Sequence, residues 1–144
     1  MIRIFLIITA LALAIAISQK AAIGVDGANI ETDGVLIFGG SGRTGAKIVD
    51  LLLKGGETVT VFVRPTSDRT RLDGRDVSFA VGDAMNSEDV EAAIAAAKPR
   101  VVINAIGGRG SQTGFWDTTQ LNMTKSAKKH NAEEMIFLSS VGTG

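Results

Sequence analysis

The chain has no cysteine and no tyrosine, and only one tryptophan, one histidine (His130) and two prolines in its 144 residues. Without cysteine there are no disulfides, no thiolate metal site and no sulfur nucleophile, and no metal-ligating cluster is read from the remaining residues. Without tyrosine no phenol is available as a proton donor, and a histidine-based acid–base scheme has one candidate. An excess of one charge is missing as well. The 15 basic residues stand against 15 acidic ones, so no global field would draw in nucleic acid, and recognition by charge has to be local. Long apolar runs are also absent: the longest, Ile4 to Ile17, is shorter than the ~18 to 20 residues that carry a helix through a bilayer.

That run is nevertheless the first feature of organisation. Arg3 precedes it, Ser18-Gln19-Lys20 follow it, and Ala16 and Ser18 form a small-residue pair. A basic start, an apolar middle and a small-residue exit predict a signal peptide over residues 1–18, with export to the periplasm or beyond. Left uncleaved, the same segment is a signal anchor that associates the domain with a membrane, and a domain facing the cytoplasm fits that alternative. Arg3 and Lys20 flank the run without setting a direction. Residues 19–33 mix acids and glycines with no period and read as a linker, which leaves 34–144 as the folded domain.

From Gly34 onward short apolar runs alternate with helical patterns. Val35 to Phe38, Thr58 to Val63, Val77 to Val81, Val101 to Ala105 and Met135 to Leu138 read as five strands. Several are apolar on both faces, as strands covered by helices on either side must be. Between them lie helices over Thr44 to Lys54, with Gly45, Ile48, Val49 and Leu52 inward, and from a Ser87 cap to Ala97, with Val90, Ala93, Ile94 and Ala97 inward. A third runs from Thr118 to His130, where the histidine suits the negative helix end. No internal repeat is visible. Alternation of this kind predicts an α/β fold: a doubly wound, Rossmann-type parallel sheet in three αβα layers, with its ligand crevice off the carboxyl ends of the strands.

Directly after the first strand comes GGSGRTG, residues 39–45. A strand, a glycine turn and a helix in that order make a phosphate cradle: the turn needs a residue without Cβ, backbone N–H groups must come close to the anion, and the helix dipole favours it. Two registers compete. G-x-G-x-x-G from Gly40 would leave Gly39 inside a strand, where glycine is unfavourable. G-x-x-G-x-x-G from Gly39 lets the strand stop at Phe38, and Gly40 then fills a small variable position. The predicted cradle is therefore Gly39, Gly40, Ser41, Gly42, Arg43, Thr44 and Gly45.

VLIFGGSGRTG resembles the opening of the extended and atypical short-chain dehydrogenase/reductases, in particular the NAD(P)H-binding, NmrA-like group that also holds flavin and biliverdin reductases. The likeness continues through VTVFVRP, VGDAMNSEDVEAAI, VVINAIGG and DTTQLNMTKSAKKHNAEEMIFLSS, about Gly34 to Gly144. It implies a dinucleotide cofactor, with Asp83 near the adenine and Ala105, Ile106 and Gly107 near the nicotinamide-side ribose. It also implies that Ser139 and Ser140 end the fifth strand where such enzymes present a hydroxyl to substrate. The group's D-x-x-G-x-x-N helix pattern is met only at Asp117; Gln120 and Met123 hold the other places. Many such reductases use a tyrosine and lysine in Y-x-x-x-K, and with no tyrosine that mechanism cannot operate within this sequence. The chain stops where these proteins continue with substrate-binding segments, so it reads as a fragment or as a domain completed by a partner or a second copy.

Cofactor choice turns on the end of the second strand. An acid there accepts hydrogen bonds from ribose hydroxyls of NAD, whereas an arginine suits the 2′-phosphate of NADP. This chain has Arg64, with no acid before Asp68, and Thr66 and Ser67 can add hydroxyls. NADP(H) is therefore expected ahead of NAD(H). The later Arg69, Arg71 and Arg75, offset by Asp68, Asp73 and Asp76, read as a solvated loop. Three functions stay open: an oxidoreductase passing hydride to a small carbonyl, quinone or flavin-like acceptor; a non-catalytic NADP(H)-responsive regulatory or assembly protein; and part of a sugar-nucleotide epimerase or dehydratase.

Overall fold

The computed structural model describes residues 34–107 and 114–138; the apolar run 4–17, the stretch 19–33 and Ser139 and Ser140 fall outside them. Strands β1 (Val35–Phe38), β2 (Val59–Val63), β3 (Ser78–Val81), β4 (Val101–Asn104) and β5 (Glu134–Phe137) alternate with helices α1 (Arg43–Lys54), α2 (Ser87–Ala97) and α3 (Phe115–Lys129). The strands form one parallel sheet in the order β3-β2-β1-β4-β5. This is the doubly wound arrangement expected above, and the strand order reverses between β1 and β4.

The period of two in each strand sorts the core onto two faces. Val35 and Ile37 of β1, Val59, Val61 and Val63 of β2, and Val101 and Ile103 of β4 pack with Ala46 and Val49 of α1. Leu36, Phe38, Phe62 and Val102 point the other way, onto Val90, Ala93, Ile94 and Ala97 of α2 and Met123 and Ala127 of α3. The result is three layers, with β1 sealed on both sides because helices cover both faces. The sheet edges are barer: Val81 on β3 and Ile136 and Phe137 on β5 are exposed.

Several boundaries differ from the sequence reading for local reasons. Helix α1 begins one residue early because the Ala46 N–H donates to Gly42 O at 2.9 Å, which makes Gly42 the cap. The cap of α2 is Asn86 rather than Ser87: the Asn86 side chain accepts from the Glu88 N–H at 2.9 Å, and Ser87 becomes the first helical residue. Helix α3 starts at Phe115, three residues before Thr118, because Gly114 at φ 79° turns the chain into it. Strand β5 is shifted back by one residue, although the Leu138 N–H still donates to Asn104 O at 3.0 Å.

The arginine-rich segment after β2 is not simply solvated. A 3₁₀ turn, Thr70–Leu72, buries Leu72 in the core beside α1. Arg75 pairs with Asp50 of α1 (Nη2 to Oδ2, 3.0 Å), and the Arg69 guanidinium lies 4.9 Å from the centre of the Phe79 ring. The hydrogen bond from Arg75 holds the Asp50 carboxyl below the usual carboxylate range. These arginines fasten the segment to the domain.

Candidate functional site

The carboxyl ends of β1 to β4 open into one crevice of about 750 Å³, within the range of small-molecule and cofactor clefts. Its floor is the turn from β1 into α1. Gly39 leaves the strand at φ 78°, and the Gly42 N–H closes the turn on Gly39 O at 3.1 Å. A side chain at Gly39 would meet backbone, since a Cβ there would stand 2.6 Å from Ala105 C and O and from Ile106 N. At Gly45 a Cβ would stand 2.1 Å from Gly39 O. Helix α1 thus lies directly on the end of the strand. It has no acid in its first turn and no side-chain cap, so its leading N–H groups keep their positive field for a ligand.

Ser41, Gly42, Arg43 and Thr44 line the crevice with Gly39 and Gly45. Gly40 does not. It is buried under α1, where a Cβ would meet Val61 Cγ1 at 2.7 Å and Ile37 Cγ2 at 3.1 Å. Its small size serves packing between helix and sheet.

The β2 side of the crevice is made by Phe62, Val63, Arg64 and Ser67. The Arg64 N–H donates to Ser67 Oγ and the Ser67 N–H to Arg64 O, both at 3.0 Å, so a small turn fixes the arginine's backbone. Arg64 has no ion-pair partner among the described residues. Thr66 lies outside the crevice wall, and Ser67 supplies the hydroxyl there instead. Next to it, Asp83, Ala84 and Met85 after β3 form a second wall. Asp83 sits in a turn of its own: its Oδ1 accepts from the Met85 N–H at 2.9 Å, and its N–H donates to Asp89 Oδ2 at 2.8 Å.

On the β4 side stand Ala105, Ile106, Gly107 and, across from them, Phe115 at the start of α3. Asn104, buried at the end of β4, accepts from the Ile106 N–H at 3.1 Å and shapes this loop. Asn104, Phe115 and Asn122, whose amide reaches the loop after β3, were not marked by the sequence reading. A polar residue closing the apolar strand VVIN was the available signal for Asn104. His130 is at the far end of α3 and takes no part in the crevice. It belongs to a smaller hollow of about 350 Å³ with Lys98, Arg100 and Lys129. Two of the cations there have carboxylate partners: Lys129 bonds to Glu91 and Arg100 holds Glu57 at 3.1 Å, while His130 Nε2 lies 3.6 Å from Glu91 Oε1.

A shape cut for backbone contact with an anion, a guanidinium one strand away with no ion-pair partner among the described residues, and apolar walls suit a dinucleotide phosphate ligand. Comparison with known proteins agrees. A family described as NAD(P)H-binding matches residues 39–144. Among solved structures, gox2253 superposes with a TM-score of 0.69 at 23% identity, covering 76% of this chain and 34% of that one. UDP-glucose 4-epimerase of Thermus thermophilus, solved with NAD, gives 0.63 at 24% identity over 74% of this chain and 37% of the enzyme. WbmH of Bordetella bronchiseptica, solved with NAD⁺, gives 0.60 at 24% identity over 71% and 37%. The chain thus spans little more than a third of the length of these structures. Among the described residues no helix is long and apolar enough to cross a membrane.

Proposed function

Because the chain belongs to this NAD(P)H-binding family, we propose that it is the NADPH-binding part of a short-chain-type oxidoreductase, of the atypical NmrA-like group, that passes hydride to a small carbonyl, quinone or flavin-like acceptor. The observation that carries the choice of NADPH is Arg64, exposed on the crevice at the end of β2 where an NAD site would place an acid. In this reading the N–H groups of the 39–45 loop and of the first turn of α1 hold the diphosphate. Arg64, with the Ser67 hydroxyl, holds the 2′-phosphate. The adenosine then lies toward β2 and β3, along Asp83 to Met85, and the nicotinamide toward β4, along Ala105 to Gly107.

When bound, the nicotinamide supplies the hydride; the protein supplies position and exclusion of water. Phe115 and Ile106 provide apolar cover on that side. Ser139 and Ser140 are proposed to present a hydroxyl to the acceptor, donating a hydrogen bond to a developing oxyanion. The apolar segment within residues 1–18 is proposed as an export signal or a membrane anchor, with residues 34–144 as the cofactor domain.

The absence of tyrosine from the chain favours a second reading, an NADP(H)-responsive regulatory or assembly protein that binds without turnover. Fluorescence titration with NADPH, followed by addition of carbonyl, quinone and flavin acceptors while nicotinamide oxidation is recorded, separates the two. Saturable binding with turnover supports the oxidoreductase. Saturable binding without turnover leaves the cofactor site common to both readings standing, and no binding overturns both.

A further inference from the structure

Asparagine is a poor residue for the middle of a helix, because its side chain competes for backbone partners. Asn122 nevertheless stands in the middle of α3, between core positions Thr119 and Met123. Its side chain does not bond within its own helix. Nδ2 donates to Ala84 O and to Met85 O, both at 3.1 Å, spending both amide hydrogens on two consecutive carbonyls more than thirty residues away in sequence. Those carbonyls belong to the irregular segment between β3 and α2, where no ladder or helix exists to satisfy them.

The same segment is held from its other side. Asp89 of α2 accepts from the Asp83 N–H, Asp83 accepts from the Met85 N–H, and the Asn86 N–H donates to Asp83 O at 3.0 Å. The N–H groups of Asp83, Met85 and Asn86 and the carbonyls of Asp83, Ala84 and Met85 are thus engaged by protein. Asp83, Ala84 and Met85 are the wall of the crevice on the β3 side.

We propose that Asn122 is a positioning residue for the adenosine half of the cofactor: by clamping Ala84 and Met85 from α3 it fixes the adenosine wall before the ligand arrives. The inference rests on reading the crevice as an NADPH site with Arg64 on the 2′-phosphate, since β3 pairs directly with β2 while β4 lies on the opposite side of β1. A wall ordered in advance removes an ordering cost from binding.

The test is calorimetric titration of wild type, N122A and N122D with NADPH, NADH and adenosine 2′,5′-bisphosphate, the last carrying only the adenosine half. Asn122→Asp keeps the shape and loses both donors. The expected result is a loss of about tenfold, by the same factor for all three ligands, with the ratio of NADPH to NADH affinity left as in wild type. A loss for NADPH without one for the bisphosphate, or a lower melting temperature with unchanged affinities, overturns the proposal. If the variants do not fold, amide hydrogen exchange on wild type decides. Met85 and Asn86 are expected to be protected without ligand, and protection that arises only on adding the bisphosphate refutes a preformed wall. Failure of wild type to bind any of the three ligands would instead overturn the reading of the crevice itself.

Discussion

Replacing Gly45 by alanine adds one methyl group at the tightest point of the domain. The new Cβ would stand 2.1 Å from Gly39 O, 2.7 Å from Gly40 Cα and 2.8 Å from Gly39 C, where contacts under 3.0 Å are essentially never seen. All three atoms are backbone, so no rotamer change relieves the clash, and the start of α1 has to move off the end of β1 by about 1 Å, the shortfall that those distances imply. Overpacking of this kind costs about 1–3 kcal/mol. For a domain of this size each kcal/mol lowers Tm by roughly 4–8 °C. The same displacement takes N–H groups aimed at the diphosphate out of hydrogen-bond range. Charge-assisted bonds are worth about 1.5–3 kcal/mol each, so losing one weakens NADPH at least tenfold. The control is Gly56→Ala. Gly56 has φ 84° with nothing within 4 Å of its Cβ position, so alanine there brings backbone strain of about 1–2 kcal/mol and leaves affinity alone. Thermal melts followed by circular dichroism, with calorimetric titration of NADPH, read both quantities. Wild-type affinity in Gly45→Ala would refute the close helix–strand contact as the basis of the cradle.

Two further outcomes follow from the packing and the charges. Ile94 of α2 is fully buried between the sheet and its neighbours, so Ile94→Ala is expected to cost about 2–5 kcal/mol by urea denaturation; a cost under about 1 kcal/mol would contradict the second core face as drawn. Asp50, Asp68 and Glu91 have pKa values lowered by bonds to Arg75, to Thr70 and to Lys129. A carboxyl with a folded pKa below its unfolded one adds stability that is complete above the unfolded value and disappears as pH falls through the folded one. Stability is therefore expected to decline as pH drops below the ordinary values of 3.8 to 4.5, and a Tm that is flat or rising across that interval would contradict these pairings.

The strands and the glycine turn were legible because each carries its own chemistry: β-branched runs cannot be mistaken for amphipathic helices, and Gly39 stands where the apolar run ends. What was not legible depends on partners distant in sequence. DAMNSED offers two good caps one residue apart, and only the position of the Glu88 N–H selects Asn86. Phe115 and Trp116 looked like loop because the glycine that starts their helix does so by conformation, without a capping side chain. Leu72 reads as one apolar residue among charges until α1 and the sheet are placed around it. The family pattern put its asparagine place on Met123, which is fully buried. The amide that reaches the crevice wall is on Asn122, one residue earlier, and an asparagine inside a helix was the signal available.

The most direct test of the central claim compares NADPH and NADH on wild type and on Arg64→Ala, by titration at one ionic strength. A guanidinium on the 2′-phosphate predicts that wild type prefers NADPH, and that the substitution weakens NADPH by about 10- to 100-fold while NADH is nearly unchanged, so the preference collapses. Equal losses for the two cofactors, or a preference for NADH in wild type, would contradict it.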